Sequence, residues 1–126
     1  MKFKVFDKVK KEFVEDQTFY LFPNGKLGQS VIGGSKIAGK RYIPIFSTGL
    51  KDKTGEEIYE GDILGVEYMG ESCINIVEWD ICNPCFVMIN INNRDCVEYD
   101  FIKCGMMDIK IIGSKYTNPE LLEVEI

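Results

Sequence analysis

The sequence predicts a mainly β protein, α+β overall, whose second half closes as a small, partly open barrel. Three observations carry this expectation. Short apolar stretches of strand propensity recur from Ile63 onward, about five in all, as in small barrels. Compact turn sequences separate them: Asp52-Lys53-Thr54-Gly55, Met69-Gly70-Glu71-Ser72 and Asn92-Asn93-Arg94-Asp95. Finally, Phe86 to Ile91 is almost wholly apolar, as expected of a strand buried on both faces or at a barrel closure.

Taken in order, Lys2 to Phe6 alternates charged and apolar residues, Asp7-Lys8 begins a turn, and Lys11 to Val14 returns, which reads as a hairpin. Thr18 to Phe22 is a third strand, ended by Pro23-Asn24-Gly25. Residues 24–40 hold five glycines and read as a long loop. Tyr42 to Phe46 carries Pro44, which has no amide proton to donate, so an edge strand or extended connector is expected. After the Asp52 turn, Glu56 to Tyr59 leads to Gly61-Asp62, where glycine permits a sharp entry into Ile63. Ile63 to Tyr68 and Cys73 to Trp79 should pair as a hairpin. Cys96 to Phe101 reads as a short strand, Ile102 to Met107 as an irregular or single-turn helical link, and Ile109 to Ile112 as the last strand. Asn118-Pro119-Glu120-Leu121-Leu122 has the form of one helical turn, with Asn118 as cap and Pro119 at the first helical position. Trp79 is the residue most expected inside the barrel.

A chain of 126 residues suffices for one ordinary domain, or a small domain with a dependent subdomain. The division expected is 1–47, a hairpin with a Gly-rich loop, and 48–126, the barrel. No apolar run approaches a membrane span, and the first residues interleave charges where a secretory signal would be apolar. An odd count of five cysteines without a repeated framework fits a reducing cytoplasm. The absence of histidine removes the residue most used for acid–base work near neutral pH, which argues against hydrolytic chemistry; no enzymatic activity and no cofactor are expected. Charge is divided: residues 1–51 carry ten Lys and Arg against four Asp and Glu, and residues 52–126 five against sixteen. Such bipolarity favours docking of the basic part on an acidic surface, of this chain or of a neighbouring subunit, over recruitment of an external anion.

Four motifs invite chemical readings, and each has a plainer one. Gly34-Ser35-Lys36-Ile37-Ala38-Gly39-Lys40 matches the glycine and lysine spacing of a phosphate-binding loop. Arg41 stands where a magnesium-binding hydroxyl is needed, however, and Pro44 follows too soon for the required helix. A flexible basic loop, with Lys36, Lys40 and Arg41 as anion contacts, is the better reading. Cys82-Asn83-Pro84-Cys85 has the spacing of a zinc knuckle or redox pair, but no second knuckle or histidine completes it. Two half-buried thiols flanking a proline turn are favoured. Glu60 and Asp62 could pair as acid and base only in an enclosed site, whereas a turn carboxylate bound to local amides explains Asp62. The aromatic residues could stack nucleic-acid bases, yet the negative charge of the second half assigns most of them to cores.

The stretch Thr48-Gly49-Leu50-Lys51-Asp52-Lys53-Thr54-Gly55-Glu56-Glu57-Ile58-Tyr59-Glu60-Gly61-Asp62-Ile63, the ending Ile112-Gly113 to Leu122 and the opening Lys2-Phe3-Lys4-Val5-Phe6-Asp7-Lys8 together resemble the YopX family of bacteriophage and prophage proteins. That resemblance implies an SH3-like barrel in the C-terminal half, a smaller N-terminal α/β portion and a phage-encoded protein. It designates no catalytic or binding residues. The expected function is therefore a non-enzymatic accessory protein of the bacterial cytoplasm that binds a protein partner or its own copies. Nucleic-acid binding through the basic N-terminal half is the alternative. No small-molecule substrate, metal or membrane partner is expected.

A segment of this length, rich in glycine and lysine, is near the size at which a solitary core fails. Residues 1–47 expressed alone should therefore give the circular dichroism and chemical-shift dispersion of an unfolded chain; a cooperative thermal transition would contradict this.

Overall fold

The computed structural model describes residues 2–15, 19–24, 26–80, 85–95, 97–98 and 108–123, leaving aside the side chains of Tyr68 and Glu98. The chain forms two compact units, Phe3–Ile45, and Met1–Lys2 with Phe46–Ile126.

In the first unit, β1 (Phe3–Asp7) pairs antiparallel with β2 (Glu12–Val14), Val5 opposite Val14. Val5 and Phe6 are buried, with Leu27 and Ile45. A three-stranded antiparallel sheet follows, with β4 (Leu27–Val31) between β3 (Phe19–Leu21) and β5 (Gly34–Ile37). The expected long loop at 24–40 is thus largely a hairpin, Gly28 facing Ile37 and Val31 facing Gly34. Glycine content misled here because Gly28 has a packing role: a Cβ there would stand 2.5 Å from the Tyr20 ring, which occupies that space. The described residues of this unit are strands, turns and short connections, without the helix that an α/β portion implies.

β6 (Tyr42–Lys51) leaves the first unit at Ile45 and pairs in the second with β7 (Glu57–Tyr59), Ser47 opposite Tyr59 and Lys51 opposite Glu57. Pro44 lies in β6 before the stretch that registers with β7, so its missing donor interrupts no bond of that ladder. The main sheet contains β8 (Asp62–Tyr68), β9 (Glu71–Asp80), β10 (Cys85–Asn90), β11 (Val97–Glu98) and β12 (Asp108–Ser114), antiparallel in the order β11-β10-β9-β8-β12. Met69 and Gly70, at φ 50° and 82°, make the two-residue turn between β8 and β9; two positive φ values match the right-handed twist of the flanking strands. β12 bulges between Ile111 and Gly113. Residues 102–107, expected to be a link, lie outside the described residues, as do most of the residues expected to extend the strand at Val97–Glu98.

Adjacent residues of a strand face opposite sides of its sheet. Ile63 and Leu64, Ile76 and Val77, and Val87 and Met88 are all buried, so both faces are covered across its middle. One face joins Leu64, Val66, Val77, Met88 and Ile109 to Ile58, with Leu50, Cys73, Phe86 and Ile111 around them. Each fully buried aliphatic side chain contributes about 1.5–3 kcal/mol. Trp79 corrects an expectation. Its register opposite Phe86 places it on this core face, but near the end of β9, where 44% of it is exposed. Parity was read correctly; depth along the strand was not.

The tail forms a short 3-10 turn, Pro119–Leu122, with Pro119 at its start. Asn118 does not cap it through its side chain; its Oδ1 instead accepts hydrogen bonds from Ser114 N–H and the Thr117 hydroxyl. Among the described residues, no helix is long and apolar enough to cross a membrane.

Leu64→Ala should lower stability by about 2–5 kcal/mol in urea unfolding, because a cavity opens in a closed core. Ile32→Ala, at a fully exposed position, should change it by less than about 0.5 kcal/mol.

Candidate functional site

The first unit contains an open cleft of about 540 Å³. Its base is an ion pair made by two turns. Asp7 ends β1 and accepts hydrogen bonds from the N–H groups of Val9 and Lys10 at 3.0 and 3.2 Å, bending the chain toward β2. Arg41 immediately precedes β6 and donates from Nε and Nη2 to the two oxygens of Asp7, both at 2.8 Å. The pairing is bidentate, the geometry in which a guanidinium binds a carboxylate most strongly. Asp7 is buried while Arg41 stays partly exposed. Arg41 holds the Asp7 carboxyl far below the usual carboxylate range; burial opposes this, and the amides of Lys10 and Val9 reinforce it. Asp7 is therefore a fixed anion and has no proton to exchange near neutral pH.

Aromatic rings make the walls. The Arg41 guanidinium lies 5.2 Å from the Tyr42 ring centroid, and Tyr42 meets Phe19 at 4.9 Å. Phe13 meets Phe6 edge-on at 5.3 Å, with the Lys4 ammonium 4.1 Å from its centroid. Lys10, Glu12, Glu15 and Gln29 complete the lining with Val14. A surface that combines rings with charges of both signs is suited to an amphipathic polypeptide segment.

The motifs singled out in the sequence fall elsewhere or take other roles. Lys36 is exposed on β5, so the segment resembling a phosphate loop is partly strand, and Lys40 is exposed beside Arg41. Arg41, read as an anion contact, binds an anion of its own chain. Cys85 opens β10 as a half-buried free thiol, and Cys82 lies outside the described residues. Among the described residues, no three His, Cys, Asp or Glu side chains gather as a metal site. Asp62 accepts the Tyr59 N–H at 2.8 Å, as a turn carboxylate should. Glu60 acts instead on Tyr116, whose hydroxyl is pushed up to about 12, mainly by burial and then by that nearby carboxylate. Gly61, at φ 83°, gives the sharp entry into β8, and a Cβ there would stand 2.5 Å from the Tyr116 ring.

A dense polar cluster of the second unit surrounds Asp52. Its Oδ1 accepts from Thr54 N–H, the Thr54 hydroxyl and Glu56 N–H, while Oδ2 accepts from Ile111 N–H at 3.0 Å. Burial pushes this carboxyl up, but the Ile111 amide and the three turn donors outweigh burial and bring it down to about 2.

A family model described as YopX protein matches residues 2–123. The chain belongs to the YopX family. Two solved structures share the fold of this YopX-family chain. Protein EF1440 from Enterococcus faecalis is 26% identical, with a TM-score of 0.62 over 97% of each chain. Protein yopX from Bacillus subtilis is 19% identical, with a TM-score of 0.61 over 96% of this chain and 97% of its own. Comparison with curated proteins found no match.

Sequence reasoning did not find the cleft of this YopX-family protein. Asp7 was legible as a turn residue, but no local pattern marks a partner 34 positions away. Phe13, Phe19 and Tyr42 looked like ordinary strand aromatics, and only pairing brings them together.

The depressed carboxylates of Asp7 and Asp52 act in the same direction on stability. Each has a folded value below its unfolded value, so its contribution is complete above about pH 4 and is lost as pH falls through the folded value. Urea midpoints measured from pH 7 downward should decline in acid. Asp7→Asn should start from a lower midpoint at pH 7 and fall less steeply.

Proposed function

We propose that this YopX-family protein is a bacteriophage or prophage accessory protein of the bacterial cytoplasm, acting by binding protein rather than by catalysis, with its second unit built as an SH3-like barrel. The cleft around Arg41 carries the reading. Its rings, its carboxylates and its partly exposed guanidinium are held in place by an ion pair and two turns, and a preformed surface of this kind lowers the entropic cost of seating a peptide segment. The engagement of the carboxylates supports the non-enzymatic part. Asp7, Asp52 and Asp62 are each occupied by backbone amides or by Arg41, which makes them anchors of turns. A curled antiparallel sheet covered on both faces supports the barrel.

Nucleic-acid binding through the first unit has one observation in its favour. From Gln17 to Lys51 the chain has no acidic residue, and Lys26, Lys36 and Lys40 in that stretch are exposed.

Tyr42→Ala removes a cleft wall. Affinity capture from phage-infected cells should retain a defined protein with the wild type and lose it with this variant, about tenfold or more in recovery. Binding of labelled DNA or RNA that falls steeply with salt, with no protein dependent on Tyr42, would decide for the alternative.

A further inference from the structure

Among the exposed apolar features outside the cleft, two stand out, one in each unit. The first is the tip of the β4–β5 hairpin. Ile32 is fully exposed there, at 107%, and Val31 beside it at 40%. Register places Lys36 on the same face as Val31, two pairs from the turn. The second is the aromatic pair at the end of the main sheet. Trp79 and Phe86 stand opposite each other and meet edge-on at 4.9 Å. Glu78 and Asp80, the neighbours of Trp79 in β9, lie on the opposite face of the sheet, where Arg94 donates to Glu78 at 3.0 Å.

These features are complementary in chemistry. The unit with the hairpin carries eight Lys and Arg against four Asp and Glu; the unit with the aromatic pair carries seven against sixteen. Exposed aliphatic side chains gain by leaving water, and tryptophan is among the residues enriched at the hot spots of protein interfaces. Opposite net charge would steer the two surfaces together and disfavour pairing of like surfaces.

We infer that the occupant of each surface is a second copy of this chain: the Val31-Ile32 tip of one copy seats against Trp79 and Phe86 of the next. The contact uses two different patches, so each copy has a donor patch and an acceptor patch. This inference rests on the protein-binding reading but uses surfaces other than the Arg41 cleft, so the Tyr42→Ala capture experiment does not decide it.

Complementation of full-length variants tests it. In sedimentation equilibrium the wild type should show a mass that rises above the monomer with concentration, less so at high salt. Ile32→Asp loses the tip and Trp79→Ala loses the aromatic pair; each alone should associate at least about tenfold more weakly while keeping the wild-type circular dichroism. Mixed one to one, they should regain a heterodimer, because Ile32→Asp retains the aromatic patch and Trp79→Ala retains the hairpin. A wild type that stays monomeric at all concentrations overturns the inference. So does association unchanged in either variant, or failure of two folded variants to pair. Low-salt capture of labelled DNA by a monomeric wild type would overturn it in favour of nucleic acid.

Discussion

The Asp52 carboxylate ties together the parts of the second unit that are far apart in sequence. One oxygen shapes the turn from β6 to β7 through Thr54 and Glu56, and the other accepts the amide of Ile111, 59 residues later, beside the bulge in β12. Lys53 N–H also donates to Ile109 O at 2.9 Å, so turn and strand are joined twice. Because β12 pairs with β8, these bonds set the position of a strand that carries Ile109 into the core. A carboxylate that accepts several amide protons is costly to protonate, and its removal would strand those donors in a buried place. Asp7 plays the same part in the first unit with Arg41 in place of a distant amide.

Local grammar made much of the fold legible. The hairpin across Met69-Gly70, the Asp52 turn, the apolar strand at Phe86 and the proline-led turn at Pro119 could all be read because each depends on neighbours in sequence. Misreadings arose where tertiary contacts decide. Gly28 looked like loop composition, yet its missing side chain makes room for aromatic rings across a strand. Trp79 lies on the core face but beyond the depth at which that face is covered, a quantity that alternation cannot report. The cleft was invisible for the same reason, since its ion pair and rings come from segments joined only by pairing.

Charge is the property that spans both levels. Its division along the sequence follows the two structural units closely, one basic and one acidic. Within the basic unit the acidic residues are confined to the first hairpin and the segment after it, leaving the β3 to β5 sheet with cations alone. Asp7 is neutralised by Arg41, which raises the relative weight of the exposed lysines. Contacts made by such a surface should depend on ionic strength more than contacts made by the aromatic walls of the cleft.

Two methionines in the second unit differ sharply in access. Met69 is 85% exposed at a hairpin turn, whereas Met88 is 2% exposed in the core. Peroxide converts thioethers to sulfoxides only where it can reach them. The first thioether therefore gauges the oxidant dose, and the second reacts only in molecules whose sheet has transiently come apart, so the ratio of the two products is an internal clock for opening of the native state.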